Sequence, residues 1–169
     1  MDTLDLIIDA GTRADIAMVA RLADTIWRSY YPGIITGEQI DYMLARGYAP
    51  EALARFVRDE GAGLAIARER GQAAGFAAWH RADEPATTKL DKLYVLPARH
   101  RHGVGRALIA RVEEAARADG SRTLVLNVNK RNAKAISAYL ACGFATRASV
   151  VIDIGCGFVM DDYVMAKAL

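Results

Sequence analysis

Two rhythms of apolar and polar positions run along the chain. From Ile16, the residues Val19, Ala20, Ala23, Ile26 and Trp27 return at the three- and four-residue intervals of one helix face, as far as Tyr30. Thr12 and Asp15 upstream have capping-box spacing, and Pro32-Gly33 ends the helix. GEQIDYMLARG (37–47) gives a second helix closed by Gly47, and PEALARFVRDE (50–60) a third with Pro50 in its first turn. LDLIIDA (4–10), ahead of all three, reads as a short strand. The rhythm then shifts. GLAIARER (63–70) and AAGFAAWHR (73–81) read as strands joined in a hairpin at Gly71-Gln72, and TTKLDKLYVLP (87–97) as a longer strand stopped by Pro97. GVGRALIARVEEAARADG (103–120) returns to the helical period with Leu108, Ile109, Val112 and Ala116 on one face. RTLVLNV (122–128) is a strand and NAKAISAYLAC (132–142) a short helix. The final stretch (143–169) gives two strands turning near Gly155 to Gly157. This order predicts one α/β domain over residues 1–169, with a strand–turn–helix–strand–helix unit at its centre.

Composition narrows the class. At 169 residues, 53% apolar and 25% charged, the chain is globular and large enough for a full core. A net charge of +2 is too small for a general nucleic-acid binder, so any attraction for anions has to be local. Cys142 and Cys156 lack both CxxC spacing and a neighbouring histidine, which points to reduced thiols rather than a disulfide framework or a zinc site. Asp2, Asp5 and Asp9 crowd an N-terminus without the basic start and apolar run of a secretory signal. No stretch approaches the ~18 uninterrupted apolar residues of a membrane span. The expectation is a cytoplasmic protein with no membrane partner.

The chemistry concentrates in LPARHRHGVGRALIARVEE (96–114). A strand leads into Arg99, His100, Arg101 and His102, then Gly103, Val104, Gly105 and Arg106 at the mouth of a helix. The first turn of a helix leaves amides unpaired and carries roughly half a positive charge. Glycines there admit close approach or positive φ, and the arginines add charge-assisted donors. That combination suits a diphosphate. Taken alone, a basic solvated turn explains the same residues equally well. Neither a P-loop nor a dinucleotide fingerprint fits, since no G-K-[ST] follows and position 108 is leucine. His100 and His102 stand two apart among arginines without a third ligand in view, so no metal is expected.

LDKLYVLPARHRHGVGRALI (90–109) resembles motif A of the GNAT family of N-acetyltransferases, a strand ending in Tyr-Val-x-Pro before an arginine- and glycine-rich turn. VNKRNAKAISAYLACGF (128–144) resembles that family's motif B, with Asn132, Ala133, Ile136, Tyr139, Gly143 and Phe144 at matching spacing. The tail VIDIGCGFVMDDYVMAK (151–167) is similar to the ends of the PaiA-like polyamine acetyltransferases, and YYPGIITGEQIDYML (30–44) agrees more loosely. His100 departs from the pattern, standing where the family usually has Gln or Arg. The resemblance implies a GNAT-type domain with a central mixed, mostly antiparallel sheet flanked by helices.

It also implies acetyl-coenzyme A as co-substrate, its pyrophosphate on the turn at 99–106 and its pantetheine arm paired with the backbone of Tyr94 and Val95 in a gap between strands 87–96 and 122–128. Asn132 is the family's side-chain contact to that arm, although asparagine at this position also caps a helix. Tyr139 is the family's usual proton donor to the departing thiolate, or else a core tyrosine beside Ile136 and Leu140. Asp91 stands at the offset where related polyamine acetyltransferases carry an acid, and strand alternation puts it on one face with Lys89, Leu93 and Val95. With an ordinary pKa near ~3.9, it would act through water, need desolvation, or only bind the cation. Tyr30, Tyr31, Glu38, Asp41, Tyr42, Trp79, His80, Asp161 and Asp162 are the candidates for an acceptor pocket, because carboxylates beside aromatics suit an alkylammonium ion.

The leading expectation is an acetyl-coenzyme A-dependent N-acetyltransferase acting on a small primary amine such as a polyamine. A protein or peptide N-acetyltransferase and a non-catalytic acyl-coenzyme A sensor on the same fold are the alternatives. Nucleic-acid binding is disfavoured by the absence of an extended basic stripe. A homodimer is compatible with the family.

Overall fold

The computed structural model describes residues 5–169. One seven-stranded sheet runs through it: β1 (Leu6–Ala10), β2 (Gly63–Glu69), β3 (Gln72–Arg81), β4 (Thr87–Val95), β5 (Thr123–Asn129), β6 (Ala145–Gly155) and β7 (Phe158–Ala168). Their spatial order is β1-β2-β3-β4-β5-β7-β6, and every pairing is antiparallel except β4 with β5. The parallel pair follows from the crossover between them, α4 (Val104–Ala118), which returns the chain to the same end of the sheet. The expected mixed, mostly antiparallel sheet is present.

Two cores flank it. On one face lie α1 (Ile16–Tyr30), α2 (Gly37–Gly47) and α3 (Pro50–Arg58), which bury Val19, Ala23, Ile26, Trp27, Ile40 and Leu53 against Leu64, Ile66 and Phe76. On the other, α4 buries Leu108, Ile109, Val112 and Ala116, the stripe its sequence period marks. With it α5 (Ala133–Ala141) covers Leu124, Leu126, Val128 and Met165. Each fully buried aliphatic side chain contributes about 1.5–3 kcal/mol. The first turn at Thr12 differs in detail from expectation. The Thr12 amide donates to the Asp15 carboxylate at 2.8 Å, but Arg13–Asp15 form a single 3-10 turn before α1 begins.

Strand β4 departs from simple alternation, and this matters for the site. Ala78 pairs with Lys92 but Trp79 pairs with Leu90, so Asp91 is the extra residue of a β-bulge. The expected common face for Lys89, Asp91, Leu93 and Val95 is therefore broken. Lys89 sits opposite His80, and Asp91 contacts His80 and Lys92 on the α1–α3 side, while Leu93 and Val95 pack with the α4 core.

Candidate active site

The pairing of β4 with β5 ends at Lys89 with Val125. Beyond those residues the strands diverge, and a cleft of about 550 Å³ opens between them. Its walls include Leu90 to Val95 of β4, Leu126 to Asn129 of β5, Tyr139 of α5 with its N-cap Asn132, and Tyr30 and Tyr31 at the end of α1. Main-chain groups on the facing edges of β4 and β5 are thus exposed to whatever enters.

At one end stands the basic turn. Arg101 (φ 66°) and Gly103 (φ 81°) both adopt the left-handed conformation, which brings the chain sharply from β4 into α4. Only Gly103 does so without steric cost. The first bond of the helix runs from the Ala107 amide to the Gly103 carbonyl at 3.0 Å, so the amides of Val104, Gly105 and Arg106 are free at its mouth. Val104 turns its side chain into the core and offers only its amide. A Cβ at Gly105 would meet one atom, Val95 Cγ2 at 3.9 Å, so the protein's own packing does not require glycine here.

The basic side chains divide. Arg99 is held at 2.6 Å by Glu69, a buried carboxylate on β2. His100 turns back so that Nε2 donates to the Val95 carbonyl at 3.0 Å, with its ring 5.9 Å from that of Tyr30. Arg101, exposed at the cleft edge, has no carboxylate partner among the described residues, while His102 and Arg106 are exposed outside the cleft lining. Glu69 escapes sequence reading; its only signal is a carboxylate ending a largely apolar strand.

On α5, Asn132 is the N-cap: its Oδ1 accepts from the Ala135 amide at 3.2 Å and from the Tyr30 hydroxyl at 2.5 Å. Tyr139 packs edge-on to Phe144, its ring centroid 5.7 Å away, and lines the cleft. Among the described residues its hydroxyl has no hydrogen-bond partner, and burial pushes the phenol well above the ordinary tyrosine range. It therefore stays protonated at neutral pH.

Asp91 lines the cleft too, with its side chain 27% exposed, its Oδ2 3.2 Å from Lys92 Nζ and its Oδ1 3.5 Å from His80 Nε2. Burial opposes its ionisation, but the His80 ring and the Lys92 ammonium outweigh that and hold the carboxyl well below the usual carboxylate range. Lys92 in turn lies over the rings of Tyr48 and Phe56, at 4.6 and 5.7 Å. The His80 Nδ1 donates to the Arg81 carbonyl at 2.6 Å, which fixes the ring.

The acceptor-pocket candidates separate likewise. Tyr30 and Tyr31 line the cleft, within an aromatic cluster that includes Trp27, Tyr48 and Tyr94. Burial pushes Tyr31 up to about 12. Trp79 belongs to the core beneath α4, Asp41 pairs with Arg28 at 2.7 Å on the surface, and the exposed Glu38 stands apart from the cleft. Tyr42 donates to the Ile154 carbonyl at 2.5 Å, joining α2 to β6. Asp161 holds Lys130 at 2.5 Å, whereas Asp162 is buried in the cleft wall. Among the described residues no three His, Cys, Asp or Glu side chains gather as a metal site, and no helix is long and apolar enough to cross a membrane.

Residues 20–144 match the profile of the acetyltransferase (GNAT) family. The chain belongs to that family. It is an acetyl-coenzyme A-dependent acyltransferase. An uncharacterised N-acetyltransferase of Mycobacterium tuberculosis is 28% identical to this GNAT protein over 138 residues, covering 82% of this chain and 87% of the relative. Among solved structures, the PaiA N-acetyltransferase from Thermoplasma acidophilum, in complex with coenzyme A, superposes with a TM-score of 0.84 at 20% identity, covering 98% of this chain and 100% of that one. The ribosomal-protein-alanine N-acetyltransferase from Brucella melitensis gives 0.72 at 22% identity, with 96% and 99% coverage.

Proposed function

We propose that this GNAT protein transfers the acetyl group to the primary amine of a small molecule, an alkylamine or polyamine, by direct attack, with Tyr139 as general acid. The observation that carries this reading is the Tyr139 phenol, half-buried on the cleft wall and free of any partner among the described residues.

The amides of Val104, Gly105 and Arg106, together with Arg101, receive the pyrophosphate, and the open space at Gly105 gives it room. The free edges of β4 and β5 receive the amides of the pantetheine arm, as Tyr94 and Val95 lead one to expect. His100 leaves the Val95 carbonyl to make way for that arm. Asn132 holds the start of α5, and with it the bearing of Tyr139. When the amine attacks the thioester carbonyl, the carbon–sulfur bond breaks and the thiolate takes its proton from the Tyr139 hydroxyl. The tyrosinate then recovers a proton from the acylating nitrogen. Asp91, committed to Lys92 and His80, is a weak proton acceptor and positions the bulge that lines the cleft. The small-amine reading is supported by the tyrosine faces of Tyr30 and Tyr31, which attract alkylammonium ions.

The test is release of free thiol from acetyl-coenzyme A by purified protein offered spermidine, simple alkylamines, amino acids, peptides and aminoglycosides. Turnover highest with alkylamines and polyamines is expected. Turnover confined to peptides, or none with any amine, overturns the reading.

A further inference from the structure

The cleft holds a second carboxylate, and it is unlike Asp91 in every respect that matters for proton transfer. Asp162 on β7 is 4% exposed, and its Oδ1 is buried without a hydrogen-bond partner among the described residues. In the ladder it faces Asn129 of β5, one residue pair beyond Val128 with Tyr163 and on the side away from the α4 core. That places it at the end of β5 remote from the β4 pairing, which stops at Lys89 with Val125, on a cleft wall that also includes Tyr31 and Met43. Leaving a carboxylate oxygen buried and unpaired costs on the order of 1–3 kcal/mol or more, a cost that an incoming cation removes.

Resting on the acetyl-transfer reading above, we infer that Asp162 is the carboxylate that receives the acceptor's ammonium group and takes its proton, delivering a neutral amine to the thioester. An alkylammonium near pKa ~10.4 is neutral in only about one molecule in a few thousand at pH 7, so a proton acceptor at the point of docking is a large advantage. The step balances. One proton passes from the ammonium nitrogen to Asp162 and on to solvent, and a second leaves the same nitrogen through Tyr139 to the sulfur. One carbon–nitrogen bond forms and one carbon–sulfur bond breaks.

The surroundings suit this work. Burial pushes the Asp162 carboxyl up, opposed by the Asn127 side chain; Asp161 raises it further, and Lys89 and Lys130 lower it. Tyr31, the residue that caps the end of α1, lies close enough for the Asp162 charge to add to the effect of burial on its phenol. Lys130 is already held by Asp161 at 2.5 Å, so its charge is largely compensated before it reaches Asp162. A carboxylate raised in this way is a stronger base than Asp91, whose partners hold it down.

The experiment compares kcat/KM against pH, from 5 to 10, for wild type, Asp162→Asn, Asp162→Glu and Asp91→Asn, using the best amine of the panel. Binding of coenzyme A is measured by calorimetry and folding by circular dichroism. For Asp162→Asn the expected results are a loss of about 100-fold or more in kcat/KM at pH 7, unchanged coenzyme A affinity, and loss of the acidic limb of the profile. The deficit shrinks as pH approaches 10, because the amine then arrives neutral. Asp162→Glu retains the limb. Wild-type kcat/KM in Asp162→Asn, a deficit equal at every pH, or an acidic limb abolished by Asp91→Asn instead overturns the assignment while leaving amine acetylation standing. A wild type that acetylates no amine overturns both.

Discussion

The Tyr30 hydroxyl donates to Asn132 Oδ1 at 2.5 Å, joining the end of α1 to the cap of α5 across 102 positions of sequence. The same oxygen accepts from the Ala135 amide, so one atom both caps α5 and anchors it to the opposite side of the cleft. Tyr30→Phe removes one bond and keeps the cap; Asn132→Ala removes both and leaves the Tyr30 hydroxyl unpaired. The expected losses of stability are about 0.5–1.5 kcal/mol for the first and about 1–3 kcal/mol for the second. Chemical denaturation of the two variants and the wild type checks the order.

Tyr139 invites a different comparison. Its hydroxyl makes no hydrogen bond among the described residues, so Tyr139→Phe leaves thermal stability nearly unchanged while kcat falls by about 10²–10⁴. Coenzyme A affinity stays at the wild-type value. A variant that keeps wild-type kcat removes Tyr139 from the proton-donor role; one that loses stability as well shows a structural tyrosine.

The carboxyl of Asp91 links folding to pH. Its folded-state pKa lies below the ordinary value near ~3.9, so its pairing with Lys92 and His80 stabilises the fold above that pH and is lost as pH falls through it. Asp91→Asn is expected to lose on the order of 1–3 kcal/mol at pH 7, and the gap to wild type closes as pH drops from about 5 toward 2. Denaturation midpoints across that range measure it. A gap constant down to pH 2 contradicts the ion pairing.

These contrasts mark what sequence could reveal. The helices were legible because their apolar stripes have one period, and α4 buries the four residues that its stripe names. The basic glycine turn at the mouth of α4 was legible because Gly103 and Gly105 after a strand mark a turn into a helix locally. The bulge at Asp91 was not, since it depends on Trp79 and Ala78 meeting Leu90 and Lys92 across a hairpin, a register that alternation within β4 cannot express. Arg99 looked available until Glu69, 30 residues earlier in the numbering, turned out to hold it. Asp161 and Asp162 are neighbours of identical type. Only the register of β7 against β5 tells which one is buried in the cleft.

Gly105 provides the sharpest separation of folding from function. It stands in the first turn of α4, and a Cβ there would touch nothing closer than Val95 Cγ2 at 3.9 Å. Alanine favours helix over glycine by up to about 1 kcal/mol, so Gly105→Ala leaves the melting temperature unchanged or raises it. If the pyrophosphate docks on these amides as proposed, the same methyl group obstructs it, and acetyl-coenzyme A affinity is expected to fall about tenfold or more, equivalent to ~1.4 kcal/mol. Gly105→Asp adds charge repulsion and binds more weakly still. Gly103→Ala is the counterpart: φ of 81° strains any other residue, so stability falls by roughly 1–2 kcal/mol. Calorimetric affinity and thermal denaturation of the three variants decide the matter. Unchanged affinity in Gly105→Ala and Gly105→Asp moves the pyrophosphate away from the mouth of α4.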